Sequence, residues 1–304
     1  MKPPRFAYHA PTAIEEAVGL LADYSEDAKV LAGGQSLIPL LSFRLAAPEH
    51  LIDINRLPGL DQVERTGNTW RIGALVRQRT AERSAELAAA VPLLAQALAN
   101  VAHPQIRNRG TICGSLAHGD SSAELPTVMT ALDARMTLAS AGGTRQVPAG
   151  DFFQFHLTTA IEPDELLTAV EFDSPVPRTY GTFEEFALRR GDFALAGVAV
   201  TATFAADRRI ERCRVVAAGV APTPLRLAAV EELLAGSELS APVLAAAKEA
   251  AYREVTPVGD SRADSDYRRH LLSVLVRRAL SAVLIKHGAD QTGGGAREQE
   301  GERR

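Results

Sequence analysis

Two short runs of small residues constrain this chain most. The first is Ala32-Gly-Gly-Gln-Ser36 and the second is Thr111-Ile-Cys-Gly-Ser115, which leads into His118, Asp120, Ser121, Ser122 and Glu124. Glycine lets the backbone come close to a ligand and exposes N–H groups to it. Two such runs, far apart in the chain, suggest a ligand held from two sides. An apolar run, Leu125–Leu132, follows the second and reads as a helix.

Each run also has a blander explanation. Gly33-Gly34 follows the short strand Lys29–Ala32, where an ordinary turn is common. It is neither a G-x-G-x-x-G fingerprint nor a Walker A loop. Thr111, Ser115 and the amides around Gly114 could donate to a phosphate. His118 and Asp120 resemble a catalytic pair, but no nucleophile stands beside them and a loop role explains them better. Arg107 and Arg109 either hold their loop or meet a partner, and Arg189-Arg-Gly-Asp-Phe193 reads as a solvated basic turn.

Composition removes several classes of function. The chain has 304 residues, 46% hydrophobic and 23% charged, which is ordinary for a globular protein. A net charge of −4 without a basic stripe gives no case for nucleic acid. No apolar run is long enough to span a bilayer, and the opening Met-Lys-Pro-Pro-Arg-Phe lacks a secretory h-region, so a cytoplasmic protein is expected. Two cysteines, Cys113 and Cys213, are too few for an iron–sulfur cluster, which takes about four thiolates. No Cys/His spacing suggests zinc, and no metal site is expected. Redox chemistry on this chain would need a bound organic cofactor.

Periodicity predicts a helix over Ile14–Tyr24, with Thr12 as N-cap and Glu15 as capping-box partner. A strand at Leu51–Ile54 follows, then a hairpin of Asp61–Arg65 and Thr69–Ile72 around Gly67-Asn68. Helices are expected at Thr80–Ala90 and Pro92–Val101, and a second hairpin at Ala134–Ser140 and Thr144–Pro148. Asp151–Phe155 is an aromatic run expected to pack a loop, and Glu165–Phe172 reads as a strand. Ser174-Pro-Val-Pro177 is the expected domain boundary. Beyond it come three antiparallel strands (Thr182–Leu188, Ala196–Ala205, Ile210–Gly219) and helices at Leu227–Ala235, Ala241–Glu254 and Ser265–Lys286. The glycine- and charge-rich tail 288–304 is expected to be disordered.

Three motifs in order carry a resemblance. Ala32-Gly-Gly-Gln-Ser-Leu-Ile-Pro39, His103-Pro-Gln-Ile-Arg-Asn-Arg-Gly-Thr-Ile-Cys-Gly-Ser115 and the following Ala-His-Gly-Asp…Glu-Leu-Pro resemble the FAD-binding medium subunit of molybdenum hydroxylases, the xanthine dehydrogenase and carbon monoxide dehydrogenase family. The likeness extends over roughly residues 1–286, including Phe6-Ala-Tyr-His-Ala-Pro11 and Arg189-Arg-Gly-Asp-Phe-Ala194.

The resemblance implies an α+β fold: a two-lobed FAD domain of the vanillyl-alcohol-oxidase type over 1–176 (lobes 1–56 and 57–176), then a C-terminal domain over 177–287 with a three-stranded sheet against helices. It implies that Val30, Leu31, Ala32, Gly33, Gly34, Gln35, Ser36 and Leu37 bind the FAD diphosphate. Thr111, Gly114 and Ser115 would wrap the other side, with Val101 and Ala102 near the flavin. Glu124 would stand at the family's acidic position, where it could accept from ribityl hydroxyls, and Leu167 at a flavin-contacting backbone position. No catalytic acid or base is expected here.

Electrons would come from two iron–sulfur clusters on a small partner and ultimately from a molybdenum-pterin large subunit, in a heterotrimer or its dimer. Two departures stand out: Cys113 takes the place of a usual glycine, and Glu185 that of a flavin-near lysine. The competing readings are a free-standing flavin oxidase or dehydrogenase, and a nonredox assembly protein.

Overall fold

The computed structural model describes the backbone of residues 2–301 and the side chains of residues 2–290. The first lobe is a small βαβ arrangement: β1 (Ala7–His9), α1 (Ile14–Tyr24), β2 (Ala28–Leu31), α2 (Leu37–Phe43) and β3 (His50–Asp53). Its strands form a parallel sheet in the order β1-β3-β2. Ala17, Val18 and Leu21 bury one face of α1. The expected capping box does not form. Ala13 takes the N-cap position, and the Thr12 amide donates to Glu16 Oε2 at 2.8 Å.

The second lobe begins with the hairpin β4 (Val63–Thr66) and β5 (Thr69–Gly73). Short helices follow: α3 (Gln78–Arg83), α4 (Ala85–Ala90), α5 (Pro92–Asn100), α6 (Pro104–Arg107), α7 (Ile112–His118) and α8 (Glu124–Ala131). The single helix expected over Thr80–Ala90 breaks at Ser84, which is extended and accepts from the Leu87 amide, so that it caps α4. Then come β6 (Arg135–Ser140), β7 (Gly143–Pro148), α9 (Ala149–Phe152), β8 (Phe153–Phe155), β9 (Thr158–Thr159) and β10 (Leu166–Asp173). Five strands make an antiparallel sheet in the order β4-β5-β10-β6-β7. The aromatic run expected to pack a loop lies in α9 and β8.

The C-terminal sheet is four-stranded, not three-stranded. β11 (Thr179–Phe186), β12 (Ala196–Phe204) and β13 (Ile210–Ala218) are joined by β14 (Leu225–Arg226), which pairs with Val216 and Ala217. Two residues leave no alternation to read, which is why the sequence pattern misses this strand. Helices α10 (Ala228–Leu234), α11 (Ala241–Glu254) and α12 (Ser265–Gly301) complete the chain. Asp264 accepts from the Tyr267 amide at the start of α12. The backbone of α12 continues past the expected end at Lys286 into the segment expected to be disordered, while residues 302–304 lie outside the described residues.

Strand alternation ties the two halves together. Val198, Val200 and Ala202 of β12, with Cys213, Val215 and Ala217 of β13, pack on the C-terminal helices. The intervening Ala199 and Val216, with Phe183 of β11, belong to the core of the N-terminal half. Helix α8 lies against β12 and β13, and α5 against β11. Both faces of the C-terminal sheet are therefore covered, which explains its almost uninterrupted apolar strands.

Candidate cofactor site

The two small-residue runs meet. A Cβ on Gly33 would sit 2.4 Å from the Arg109 carbonyl oxygen and 2.8 Å from Gly110 Cα, so only glycine permits this approach. Gly34 has φ +74°, in the left-handed region that favours glycine. Ala32 to Ser36 form an irregular turn before α2, and Gln35 Nε2 donates to the Gly33 carbonyl at 3.3 Å. Among the described residues, the amides of Gly34, Gln35 and Ser36 donate to no protein acceptor. They are free to meet an anion.

A polar strut fixes the approach from behind. Asn55 donates to the Ala32 carbonyl at 2.9 Å, and Arg77 donates to Asn55 Oδ1 at 2.6 Å and to the Arg109 carbonyl at 2.7 Å. Asp53 accepts from the Asn55 amide and, at 2.6 Å, from the Tyr8 hydroxyl. The Gln78 amide donates to the Gly110 carbonyl, and Arg77 and Thr111 form an isolated bridge. The sequence reading missed Asn55, Arg77 and Gln78, because long-range side-chain struts leave no local pattern.

The Thr111–His118 stretch, read as a small-residue turn, is mostly helix. Thr111 is extended and its hydroxyl accepts from the Gly114 amide at 2.9 Å, a side-chain N-cap for α7. Ile112, Cys113 and Leu116 face inward, while Gly114 is exposed and Ser115 half-buried. Gly119, with φ +64°, ends the helix. The Cys113 thiol points to the Ile72 carbonyl in the core, 3.6 Å away, and burial pushes its pKa up to about 12. It therefore does not disturb the exposed side of the turn.

Arg107 holds the Val101–Ala102 loop. Its guanidinium donates to the Val101 carbonyl at 2.6 Å and the Ala102 carbonyl at 3.3 Å, and it pairs with both carboxylate oxygens of Glu82. Ala102 has φ +40°, so this anchored loop is strained. Arg109 itself is exposed. The Arg189–Phe193 turn comes against the same loop, because a Cβ on Gly191 would lie 2.7 Å from His103 Cε1 and 3.0 Å from the Ala102 carbonyl.

Glu124 opens α8. Burial and the neighbouring Glu185 carboxyl push its pKa up to about 8, and burial pushes Glu185 up to about 7. Asp120 accepts from the Ser122 amide, a turn role, and burial lowers the pKa of His118.

Residues 4–175 match the family described as FAD binding domain in molybdopterin dehydrogenase, and residues 181–283 match the CO dehydrogenase flavoprotein C-terminal domain. The chain belongs to the FAD-binding medium subunits of the molybdenum hydroxylases. It is 41% identical to the 6-hydroxypseudooxynicotine dehydrogenase complex subunit alpha of Paenarthrobacter nicotinovorans, covering 93% of this chain and 96% of that one. It is 39% identical to the carbon monoxide dehydrogenase medium chain of Hydrogenophaga pseudoflava, over 93% and 98%. A solved carbon monoxide dehydrogenase from Hydrogenophaga pseudoflava superposes with a TM-score of 0.91, at 39% identity over 94% of this chain and 99% of that one.

As a medium subunit, the chain is the FAD-carrying oxidoreductase component of a multi-subunit enzyme with small and large partners. The residues expected to hold FAD fall into three groups and one further position, Leu167. Val30 and Leu31 end β2, Ala32 to Ser36 form the turn and Leu37 begins α2. Thr111, Gly114 and Ser115 lie across from that turn through the Gly33–Arg109 approach. Val101 and Ala102 are held by Arg107, and Glu124 opens α8. Leu167 is buried on β10 at a register shift, on the strand against which α7 packs.

Proposed function

We propose that this medium subunit holds FAD noncovalently between the Gly33–Ser36 turn and the Thr111–Ser115 turn, in a domain of the vanillyl-alcohol-oxidase type. The observation that carries the reading is the side-chain-free approach of Gly33 to Arg109 and Gly110, beside amides at 34–36 without protein partners. A diphosphate fits such amides, because it carries negative charge and strong acceptors. The Thr111 hydroxyl accepts from the Gly114 amide and keeps its hydrogen to donate, and the half-buried Ser115 hydroxyl is a second donor on the opposite side.

Bound there, FAD supplies a ring that accepts electrons from a donor centre and passes them to an external acceptor. The chain's own residues position it. Val101 and Ala102, locked by Arg107, form a rigid wall, Leu167 adds its backbone from the five-stranded sheet, and Glu124 offers a carboxyl to the ribityl hydroxyls.

The same reading places two iron–sulfur clusters on the small partner and a molybdenum-pterin centre on the large one, in a heterotrimer or a dimer of heterotrimers. The enzyme would work in the cytoplasm, in keeping with two buried free thiols. Substrate choice belongs to the large partner. Relatives named for caffeine, carbon monoxide and glyceraldehyde are 38%, 38% and 36% identical to this chain, so the medium subunit does not follow the substrate.

The test is anaerobic reduction of the assembled complex by substrate. Flavin bleaching should require the iron–sulfur chain and fail without it. Substrate-dependent bleaching by this chain alone would contradict the reading and favour a self-contained flavin dehydrogenase.

A further inference from the structure

Helix α12 brings one buried arginine to the start of β12 and the end of β13. Arg268 is 3% exposed, and its Nη1 donates to the Leu195 carbonyl at 2.7 Å and to the Gly219 carbonyl at 3.0 Å. Its Nη2 meets Asp260 Oδ2 at 2.9 Å. Its Nε has no hydrogen-bond partner, so these three contacts orient the guanidinium. Gly219 lets the two carbonyls come together. Its φ is +73°, and a Cβ there would be 3.1 Å from both the Ala194 and the Leu195 carbonyl oxygens.

Both carbonyls lead towards the cofactor site. Leu195 closes the 187–194 loop, because its amide donates to the Phe186 carbonyl at 2.8 Å. The tip of that loop is Gly191, whose backbone lies against His103 and the Ala102 carbonyl with no room for a Cβ. Leu188 and Phe193 beside it are more than half exposed, whereas Ala194 and Leu195 are buried. The tip therefore has little burial of its own and takes its place from the base that Arg268 holds. On the other branch, the Gly219 amide donates to the Ser121 carbonyl at 2.8 Å, in the loop that leads into Glu124.

We propose, on the basis of the FAD site described above, that Arg268 is a positioning residue for the flavin. It sets the 187–194 loop against Ala102 and His103, so that the Val101–Ala102 wall is held by Arg107 from the FAD domain and by this loop from the C-terminal domain.

The chemistry of the side chain suits the task. A guanidinium presents a planar fork of donors that serves two carbonyls and a carboxylate at once, whereas an ammonium is one compact charge. Its partner is preset. The Asp260 amide donates to the Ala263 carbonyl at 2.9 Å, and Asp260 Oδ1 accepts from the amides of Arg262 and Ala263 at 2.8 and 3.1 Å. Arg262 Nε donates to Asp260 Oδ2 at 3.1 Å. The 260–263 turn thus holds the carboxylate with bonds of its own.

The experiment compares wild type with Arg268→Gln, Arg268→Lys and Asp260→Asn in the FAD-loaded complex. The readouts are visible circular dichroism of the flavin, its midpoint potential and FAD retention, with thermal unfolding alongside. Arg268→Gln should shift the flavin bands and the potential and hold FAD roughly tenfold less tightly, the effect of losing one charge-assisted anchor. Arg268→Lys, which restores the charge without the fork, should fall between Arg268→Gln and wild type. Asp260→Asn keeps an oxygen for the two amides and removes the charge that Arg268 meets, so it should shift the bands in the same direction by less. Arg278→Gln, on the same helix and paired with Glu184 at 3.4 Å, is the control and should leave the flavin unchanged.

A folded Arg268→Gln with flavin bands, potential and retention equal to wild type would overturn the inference and leave the FAD site standing. If Arg268→Gln does not fold, Arg268→Lys and Asp260→Asn decide, and an unaltered flavin in both would overturn the inference equally. A wild type that binds no FAD would overturn the inference together with the FAD site.

Discussion

Gly33 is the residue on which the site depends most. A methyl group there would meet the Arg109 carbonyl oxygen at 2.4 Å, and both atoms belong to backbone held by Asn55 and Arg77. Gly33→Ala should therefore push the two turns apart, costing roughly 1–3 kcal/mol of stability and most of the FAD. Thermal unfolding and flavin content measured on the same preparation check this. Gly19→Ala, on an open helix face with nothing within 4 Å, is the matched control and should leave both unchanged or slightly improved.

Cys113 makes the opposite point. Its buried thiol, held protonated with a pKa near 12, should resist alkylation at neutral pH until the protein is unfolded. Rapid labelling of Cys113 in the native state would contradict its placement on the buried face of α7. The glycines were legible in the sequence because they break a strand pattern. Asn55 and Arg77 were not, because nothing local marks an arginine that reaches the carbonyl of residue 109.

At the scale of elements, Arg107 is the joint between α6, α3 and the Val101–Ala102 loop. Its side chain is 7% exposed and Glu82's is 16% exposed, so its removal leaves Glu82 with Arg79 alone and takes the donors from the Val101 and Ala102 carbonyls. Arg107→Ala should cost about 3–5 kcal/mol, read from chemical denaturation. The pH dependence follows from Glu82. Hydrogen bonds from Arg107 and Arg79 outweigh its burial and hold its pKa below the ordinary 4.5. A carboxylate with a depressed pKa stabilises the fold above its unfolded pKa, and that contribution is lost as pH falls through the folded value. The stability gap between wild type and Arg107→Ala should thus be full at neutral pH and narrow on acidification below about 4; a gap independent of pH would contradict it.

Thr111→Ala should remove the cap of α7 at about 1 kcal/mol and loosen the second turn. Helix α7 escaped the sequence reading because Gly114, Ser115 and Gly119 suggest a loop. What makes it a helix is the buried row of Ile112, Cys113 and Leu116 together with the Thr111 cap. The break at Ser84 was hidden for the converse reason: good helix formers on both sides mask it.

The whole molecule is held by a seam as much as by its separate cores. The Gly219 amide donates to the Ser121 carbonyl, Gln96 accepts from Thr182 and Phe183, and Arg212 and Arg214 both pair with Asp133. These contacts tie the C-terminal sheet to α5, α8 and the loop that carries the acidic residues. The order of strands and helices was largely readable from the alternating and 3.6-residue patterns, and β12 and β13 stood almost where expected. The seam was not, since a strand buried on both faces shows an unbroken apolar run that does not say what covers it.

The most direct test of the account is the flavin content of the purified chain with its partners, by visible absorption and identification of the released cofactor. The account predicts one FAD per chain, bleached by dithionite, and lost when Gly33 and Gly34 are both replaced by alanine. A colourless protein that cannot be reconstituted with added FAD, even with its partners present, would contradict it.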